Sequence, residues 1–200
     1  MNKSPEAIFD ILYIGKHLQK KLEDFNLNEI QFMAYLSCLI SLYDNNPTAF
    51  WKYKFIKNNY SSPYSVELHS SLNFLKENSH INETTENYYQ LTEKGNSNFN
   101  FYDSLSSFKK RKKYLQIACN SLSIIPINIV KNAIREEPIM KSASRNPGKR
   151  FLLDKETPAM IALYNDFFNL HIAMNDNYNN LLVPAVVWLQ SLSTKNTIND

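Results

Sequence analysis

The stretch that decides the fold runs Ser62-Pro63-Tyr64-Ser65-Val66-Glu67-Leu68, then Leu72-Asn73-Phe74-Leu75, His80-Ile81-Asn82-Glu83 and Tyr88-Tyr89-Gln90-Leu91-Thr92-Glu93-Lys94-Gly95. Turn-forming residues occupy 58–63. Leu68, Leu72 and Leu75 then fall at helical spacing, which predicts a helix starting near Ser65 and ending near Asn78. Residues 80–83 and 88–91 are short β-like pieces separated by polar residues 84–87, the pattern of a hairpin. Thr92 suits the cap of a helix opening Glu93-Lys94-Gly95, because its hydroxyl can accept an orphan backbone amide.

Upstream, Ser4, Pro5 and Glu6 announce a helix, with Ile8, Ile11, Leu12, Leu18 and Leu22 on one stripe and Gly15 placed for close packing. A second helix is predicted to open at Asn28, with Gln31 completing a capping box and Phe32, Met33, Leu36, Leu39, Ile40 and Tyr43 facing inward. It stops at the turn over 44–47. In 50–56 aromatics alternate with lysines, the period of a half-buried strand, with a helix as the alternative. The order helix, helix, strand, helix, strand, turn, strand, helix is that of a winged helix, with the helix from Ser65 in the recognition position.

Beyond Ser104 the chain reads as helical. Leu105, Phe108, Leu115, Ile117, Ala118 and Leu122 form an apolar face, Ile124-Ile125-Pro126 breaks it, and a short helix spans 127–135. Residues 142–150 read as an exposed basic loop, followed by helices over 158–174 and 178–192. The last of these is apolar on most sides, so it belongs in the core or under another chain. The expected fold is mainly α with a small β-wing: a winged helix-turn-helix domain with an N-terminal helix over 1–104, and a helical C-terminal region packed on it over 105–200.

The 200 residues are 44% hydrophobic and 20% charged, a globular composition able to bury a sizeable core. The net charge of +3 names no partner. Abundant asparagine is scattered through periodic segments, as AT-rich coding produces. Cys38 and Cys119 lie in apolar helical segments, where thiols act as small hydrophobes rather than as a disulfide framework. The start Met1-Asn2-Lys3 has no apolar run after it, and no segment reaches the roughly 20 apolar residues of a membrane span, so the chain is expected in the cytoplasm.

Chemistry is hard to assemble. The three glycines, at 15, 95 and 148, build neither a P-loop nor a dinucleotide fingerprint. His17, His69, His80 and His171 lack a second ligand at metal spacing. Ser106-Ser107-Phe108-Lys109 matches S-x-x-K only as four-residue chance allows. Glu136-Glu137 with Lys141 is the nearest approach to a nuclease site, but charges flanking Pro138 more simply end a helix. The expectation is no enzyme, no cofactor, no metal and no small-molecule substrate.

Binding has better candidates. Lys109, Lys110, Arg111, Lys112 and Lys113 occupy successive positions, so on a helix they ring it rather than line one face. They suit DNA phosphates, acidic groups of a partner, or plain solvation. Arg145, Lys149 and Arg150 form a second basic cluster able to join them. The recognition-position helix contains no arginine, which disfavours sequence-specific major-groove reading. Trp51, Tyr53, Tyr60 and Tyr64, with Trp188 in the last helix, are candidate partner-binding anchors, since Tyr and Trp are common at interfaces.

The segments 62–68, 72–75, Ile81 and 89–95 resemble the winged-helix signature of small bacterial accessory subunits. Residues 126–138, Pro126 to Pro138, are similar to the second half of the middle component of ABC-three-component defence systems, of the same general kind as the small subunit of Lamassu systems. The likeness spans roughly residues 27 to 140. It implies a non-catalytic subunit that bridges an SMC-like ATPase and a nuclease-type effector in anti-phage or anti-plasmid defence and touches double-stranded DNA. A winged-helix transcription regulator and a self-associating plasmid replication or partition protein are the alternatives.

Overall fold

The core is organised around a helix that is buried on every side. Asn26 caps it by accepting the Glu29 amide at 3.0 Å, while the Glu29 carboxylate accepts the Asn26 amide at 3.1 Å. This reciprocal pair sets the start two residues earlier than the Asn28–Gln31 spacing predicts, because it satisfies two orphan amides with a carboxylate at the positive end of the dipole. The helix, α2 (Leu27–Tyr43), is buried throughout from Glu29 to Tyr43. A computed structural model describes residues 4–145, 151–154, 157–174 and 180–194.

Around α2 pack α1 (Pro5–Leu22), α3 (Val66–Glu77), α4 (Glu93–Ser104), α5 (Lys109–Ser121), α6 (Ile127–Glu136), α7 (Pro138–Arg145), α8 (Pro158–Ala173) and α9 (Leu182–Thr194). The described residues are thus mainly helical, with two small antiparallel sheets. Helix α1 starts as expected, with Ser4 accepting the Ala7 amide at 3.2 Å, and buries Ile8, Ile11, Leu12 and Leu18, while Leu22 stays partly exposed. A Cβ at Gly15 would lie 2.8 Å from the Phe25 ring, so only glycine lets α1 approach this closely. Helix α3 buries Leu68, Leu72 and Leu75 and is capped at Asn78, as its leucine spacing predicts.

Three strands, β1 (Phe25–Asn26), β4 (Ile81–Thr85) and β5 (Tyr88–Leu91), form a sheet in the order β1-β5-β4. Phe25 pairs with Tyr89, and Ile81 with Leu91. The hairpin falls in the expected stretch, but β4 runs on through Thr84 and Thr85 so that the turn shortens to Glu86–Asn87, and the third strand is not the 50–56 segment. That segment is a 3₁₀ turn, Thr48–Trp51, closed by left-handed Lys52, then irregular chain and a separate two-residue ribbon of β2 (Ile56–Lys57) and β3 (Pro63–Tyr64). Its alternation is nonetheless real, because Trp51, Tyr53 and Phe55 are buried and Lys52 and Lys54 exposed. Alternating burial here reports an irregular segment laid over the core, with no ladder partner for residues 50–55 among the described residues.

After β5, Thr92 accepts the Gly95 amide at 3.0 Å and donates to the Ser79 carbonyl at 2.8 Å. A Cβ at Gly95 would stand 2.0 Å from the His80 carbonyl oxygen, so glycine is needed where α4 crosses the hairpin's start. Residues 142–145, expected to open the basic loop, are instead the end of α7, which starts at Pro138 because Glu137, fully buried, accepts the Ile139 and Met140 amides at 2.8 and 2.6 Å and caps it. Helix α9 buries Pro184, Ala185, Trp188, Leu189 and Leu192 but leaves Val183 and Val187 partly exposed. The central place that its composition suggests is taken by α2. One hydrophobic core runs continuously across residue 104.

Candidate functional site

An open groove of about 710 Å³ lies where the N-terminus of α2, the 58–64 turn, α3 and the β4–β5 hairpin meet. Each wall is fixed locally. In the turn, Asn58 Oδ1 accepts the Tyr60 and Ser62 amides at 2.9 and 3.0 Å, and Ser61 takes a left-handed conformation. This presents Tyr60 at the tip, 85% exposed. On the opposite wall Asn87 is left-handed at φ 64°, Glu83 accepts its amide at 2.9 Å, and Lys76 of α3 pairs with Glu83. The hairpin is thereby tied to α3, with Tyr88 partly exposed beside the turn.

The floor is set by Gln31. Its amide is almost fully buried, donates to the Ser65 carbonyl at 3.0 Å and accepts the Ser65 amide at 2.8 Å. A side chain thus imitates a strand partner and clamps the start of α3 to α2. Tyr64, half-buried, hydrogen-bonds His69 Nδ1 across the groove wall, and burial raises its phenol above the ordinary value. Of the described residues lining the groove, Arg135 and Glu86 carry opposite charges and the rest of the polar lining is asparagine, glutamine, serine, histidine and tyrosine. The surface is close to electrically neutral.

The basic run has a different character from the one its composition suggests. Arg111 is 3% exposed, and its guanidinium grips both carboxylate oxygens of fully buried Asp10, donates to the Trp51 carbonyl at 2.9 Å and stacks 4.0 Å over the Trp51 ring. Tyr53 donates its hydroxyl to the same carboxylate. Burial pushes the Asp10 carboxyl up against the pull of Arg111, and Asp10 in turn holds the guanidinium charged. Arg111 is therefore a core counter-ion and not a DNA contact. A packed helix ringed by cations must turn one inward, and Asp10 on α1 receives it.

Lys112 pairs with Asp103 at 2.7 Å, Lys113 with Asp44 at 2.8 Å, and Lys110 sits over the Phe50 ring at 5.1 Å. Lys109, Lys110 and Lys113 are exposed, as is Arg145 at the end of α7. Lys149 and Arg150 lie outside the described residues. Among the aromatic anchors, Trp51, Tyr53 and Trp188 are 1%, 5% and 5% exposed, so they pack the core and offer a partner nothing. Tyr60 and Tyr64 do line the groove.

The sequence reading misses Gln31, Asn58, Asn87 and Tyr88 as site residues. The Asn58-Asn59-Tyr60-Ser61-Ser62 turn signal and the Glu86-Asn87 hairpin tip carry the information, since asparagine favours turns either by accepting nearby backbone amides, as Asn58 does, or by taking a left-handed conformation, as Asn87 does. Among the described residues no cluster of three His, Cys, Asp or Glu side chains is placed to hold a metal ion, and no helix is long and apolar enough to cross a membrane. Cys38 and Cys119 are buried and unpaired, with thiols raised by burial, Cys119 to about 12. Compared with known protein families, with curated proteins and with solved structures, the chain matches none.

Proposed function

We propose that this chain works by binding, as a winged-helix accessory subunit that docks through the Tyr60–Tyr88 groove onto an SMC-like ATPase and bridges it to an effector. The observation carrying the reading is the groove itself: large, neutral, rigidly walled and edged by exposed tyrosines. Tyrosines on preorganised turns provide contact area at little entropic cost, which is protein-interface chemistry. A DNA-reading surface would instead concentrate cations there to neutralise phosphates. The winged-helix part of the reading is supported by the chain order of α1, β1, α2, α3, β4, β5 and by the sheet order β1-β5-β4, which lays a hairpin beside the helix in the recognition position. The defence setting rests on the sequence resemblance over 27–140.

The test is to mix the purified chain with an SMC-like ATPase and with the products of the genes neighbouring its own, and to measure complex formation. Tyr60→Ala with Tyr88→Ala should weaken it by about 30-fold, as loss of an interface hot spot does. A complex indifferent to both substitutions removes the groove from the account. Binding of the chain alone to a specific DNA fragment, lost on replacing Lys109, Lys110 and Lys113, would make it a transcription regulator instead.

A further inference from the structure

Helix α8 carries two apolar stripes, and among the described residues only one is buried. Met160, Leu163 and Phe167 point inward and are buried, and Thr157 caps the helix by accepting the Met160 amide at 3.2 Å. The second stripe is Ile161, Tyr164, Phe168 and Ile172, which are 60%, 44%, 64% and 60% exposed. At 100° per residue these four lie within about 80° of one another and extend along roughly 16 Å of helix. Four large apolar side chains on one strip are not the scattered singletons of an ordinary surface.

Three properties of the strip say what covers it. No charged residue lies in it, and Asp166, the helix's one acidic residue, falls on nearly the opposite side of the wheel. A strip without charge neither repels its own copy nor asks for a charged partner. Its order is also close to palindromic: isoleucine, aromatic, aromatic, isoleucine, centred between residues 166 and 167. Two such helices laid antiparallel about a twofold axis set Ile161 against the partner copy's isoleucine end, and Tyr164 against its Phe168, twice over. That is the self-complementary arrangement a twofold interface needs. Finally, side chains of about 150–200 Å² at these exposures offer roughly 400 Å² per copy, about half of what a standard interface buries on each side. Exposed Asn165 and Asn169 border the strip and add a polar rim.

We propose that the outer face of α8 is a homodimer interface in which two copies of the chain pack antiparallel through Ile161, Tyr164, Phe168 and Ile172. An interface of this area makes a reversible dimer. Sedimentation equilibrium from about 1 to about 100 µM should show the mass rising from one chain to two, as expected for a weak, reversible interface below the standard size. Phe168→Asp should hold the mass at one chain throughout with an unchanged far-ultraviolet spectrum, since the side chain is mostly outside the core. If that variant misfolds, Ile161→Glu is read in its place. Mixing the Phe168→Asp chain with a Tyr164→Lys chain should restore the two-chain mass, because antiparallel pairing brings the new carboxylate to the new ammonium. The proposal is overturned by a wild-type chain of single mass at every concentration, by a dimer that ignores Phe168→Asp, or by rescue with Phe168→Lys but not Tyr164→Lys, which would mean parallel packing.

Discussion

Replacing Arg111 by methionine keeps the aliphatic stem and removes the charge, leaving the Asp10 carboxylate fully buried with Tyr53 as its remaining side-chain donor among the groups described around it. Breaking a buried pair by deleting one partner costs about 3–5 kcal/mol, most of it the penalty of an uncompensated buried charge. For a chain of this length 1 kcal/mol is worth about 2–4 °C, so Arg111→Met should lower the melting temperature by about 10 °C. The double replacement Asp10→Leu with Arg111→Met removes both charges and should be less damaging than Arg111→Met alone, giving a coupling of about 2 kcal/mol or more. Urea unfolding followed by tryptophan fluorescence reads all three proteins, since Trp51 lies 4.0 Å beneath the guanidinium.

The sign with pH follows from the same geometry. Burial already raises the Asp10 carboxyl, and removing Arg111 takes away the two largest opposing influences. The lone carboxyl then protonates at a higher pH, and a neutral acid is cheaper to bury than a carboxylate. The deficit of Arg111→Met should therefore be largest near neutrality and shrink as the pH falls. A loss under about 1 kcal/mol, or a double variant costing the sum of the singles, refutes the claim that Arg111 serves as an internal counter-ion.

Glu137, pushed up to about 7 by burial against the pull of the Ile139 and Met140 amides and the Tyr35 hydroxyl, should cost the folded state about 3 kcal/mol as the pH rises from about 4.5 to about 7. Glu137→Gln keeps an acceptor for the α7 amides and cannot ionise, so its stability curve should stay flat where the wild type falls, and parallel curves would show that Glu137 does not titrate in this window. Gly95→Ala forces a methyl to 2.0 Å from the His80 carbonyl oxygen and should cost about 2 kcal/mol or more in urea unfolding; a neutral result would mean that α4 and the hairpin do not approach so closely. Trp188→Ala should cost about 3–5 kcal/mol whereas Tyr60→Ala stays within about 0.5 kcal/mol, and comparable losses from the two would contradict the assignment of one to the core and the other to the surface.

What the sequence made legible is what local patterns encode. The leucines of α3 and the Thr92 cap are each decided within a few residues and stand where their spacing puts them, while the hairpin tip narrows from the expected 84–87 to Glu86–Asn87. Strand β1 was invisible because two residues carry no period, and its identity depends on Tyr88 and Tyr89 some sixty positions away. Arg111 is the sharper case. In a run of five cations nothing local marks the one that turns inward, and its partner stands 101 residues earlier in the chain. The same limit applied to Trp51 and Tyr53, whose aromatic character fits an interface and a core equally well until the guanidinium between them is seen.

Apart from the Asp10–Arg111 pair, several long-range polar contacts share one anchor, and this bears on how the groove can act. Helix α2 is apolar on almost all sides, so packing alone would allow it to rotate or slide among equivalent burials. Its few polar groups remove that freedom one element at a time. Gln31 holds Ser65 before α3, Glu29 meets Lys131 of α6 at 3.2 Å, and Tyr35 reaches Glu137 at the start of α7 at 2.9 Å. At the far end Asp44 accepts from Lys113 and Tyr114 of α5, and Tyr43 stacks on His171 of α8 at 4.2 Å. Each contact fixes a different neighbour in register, and a buried amide or carboxylate left without its partner would cost more than a lost apolar contact. The groove is built on the N-terminal end of this helix, and the proposed α8 interface is tied to its C-terminal end through His171. A partner at the proposed Tyr60–Tyr88 groove would therefore meet walls whose positions are already set, and would spend its binding energy on contact rather than on ordering the site.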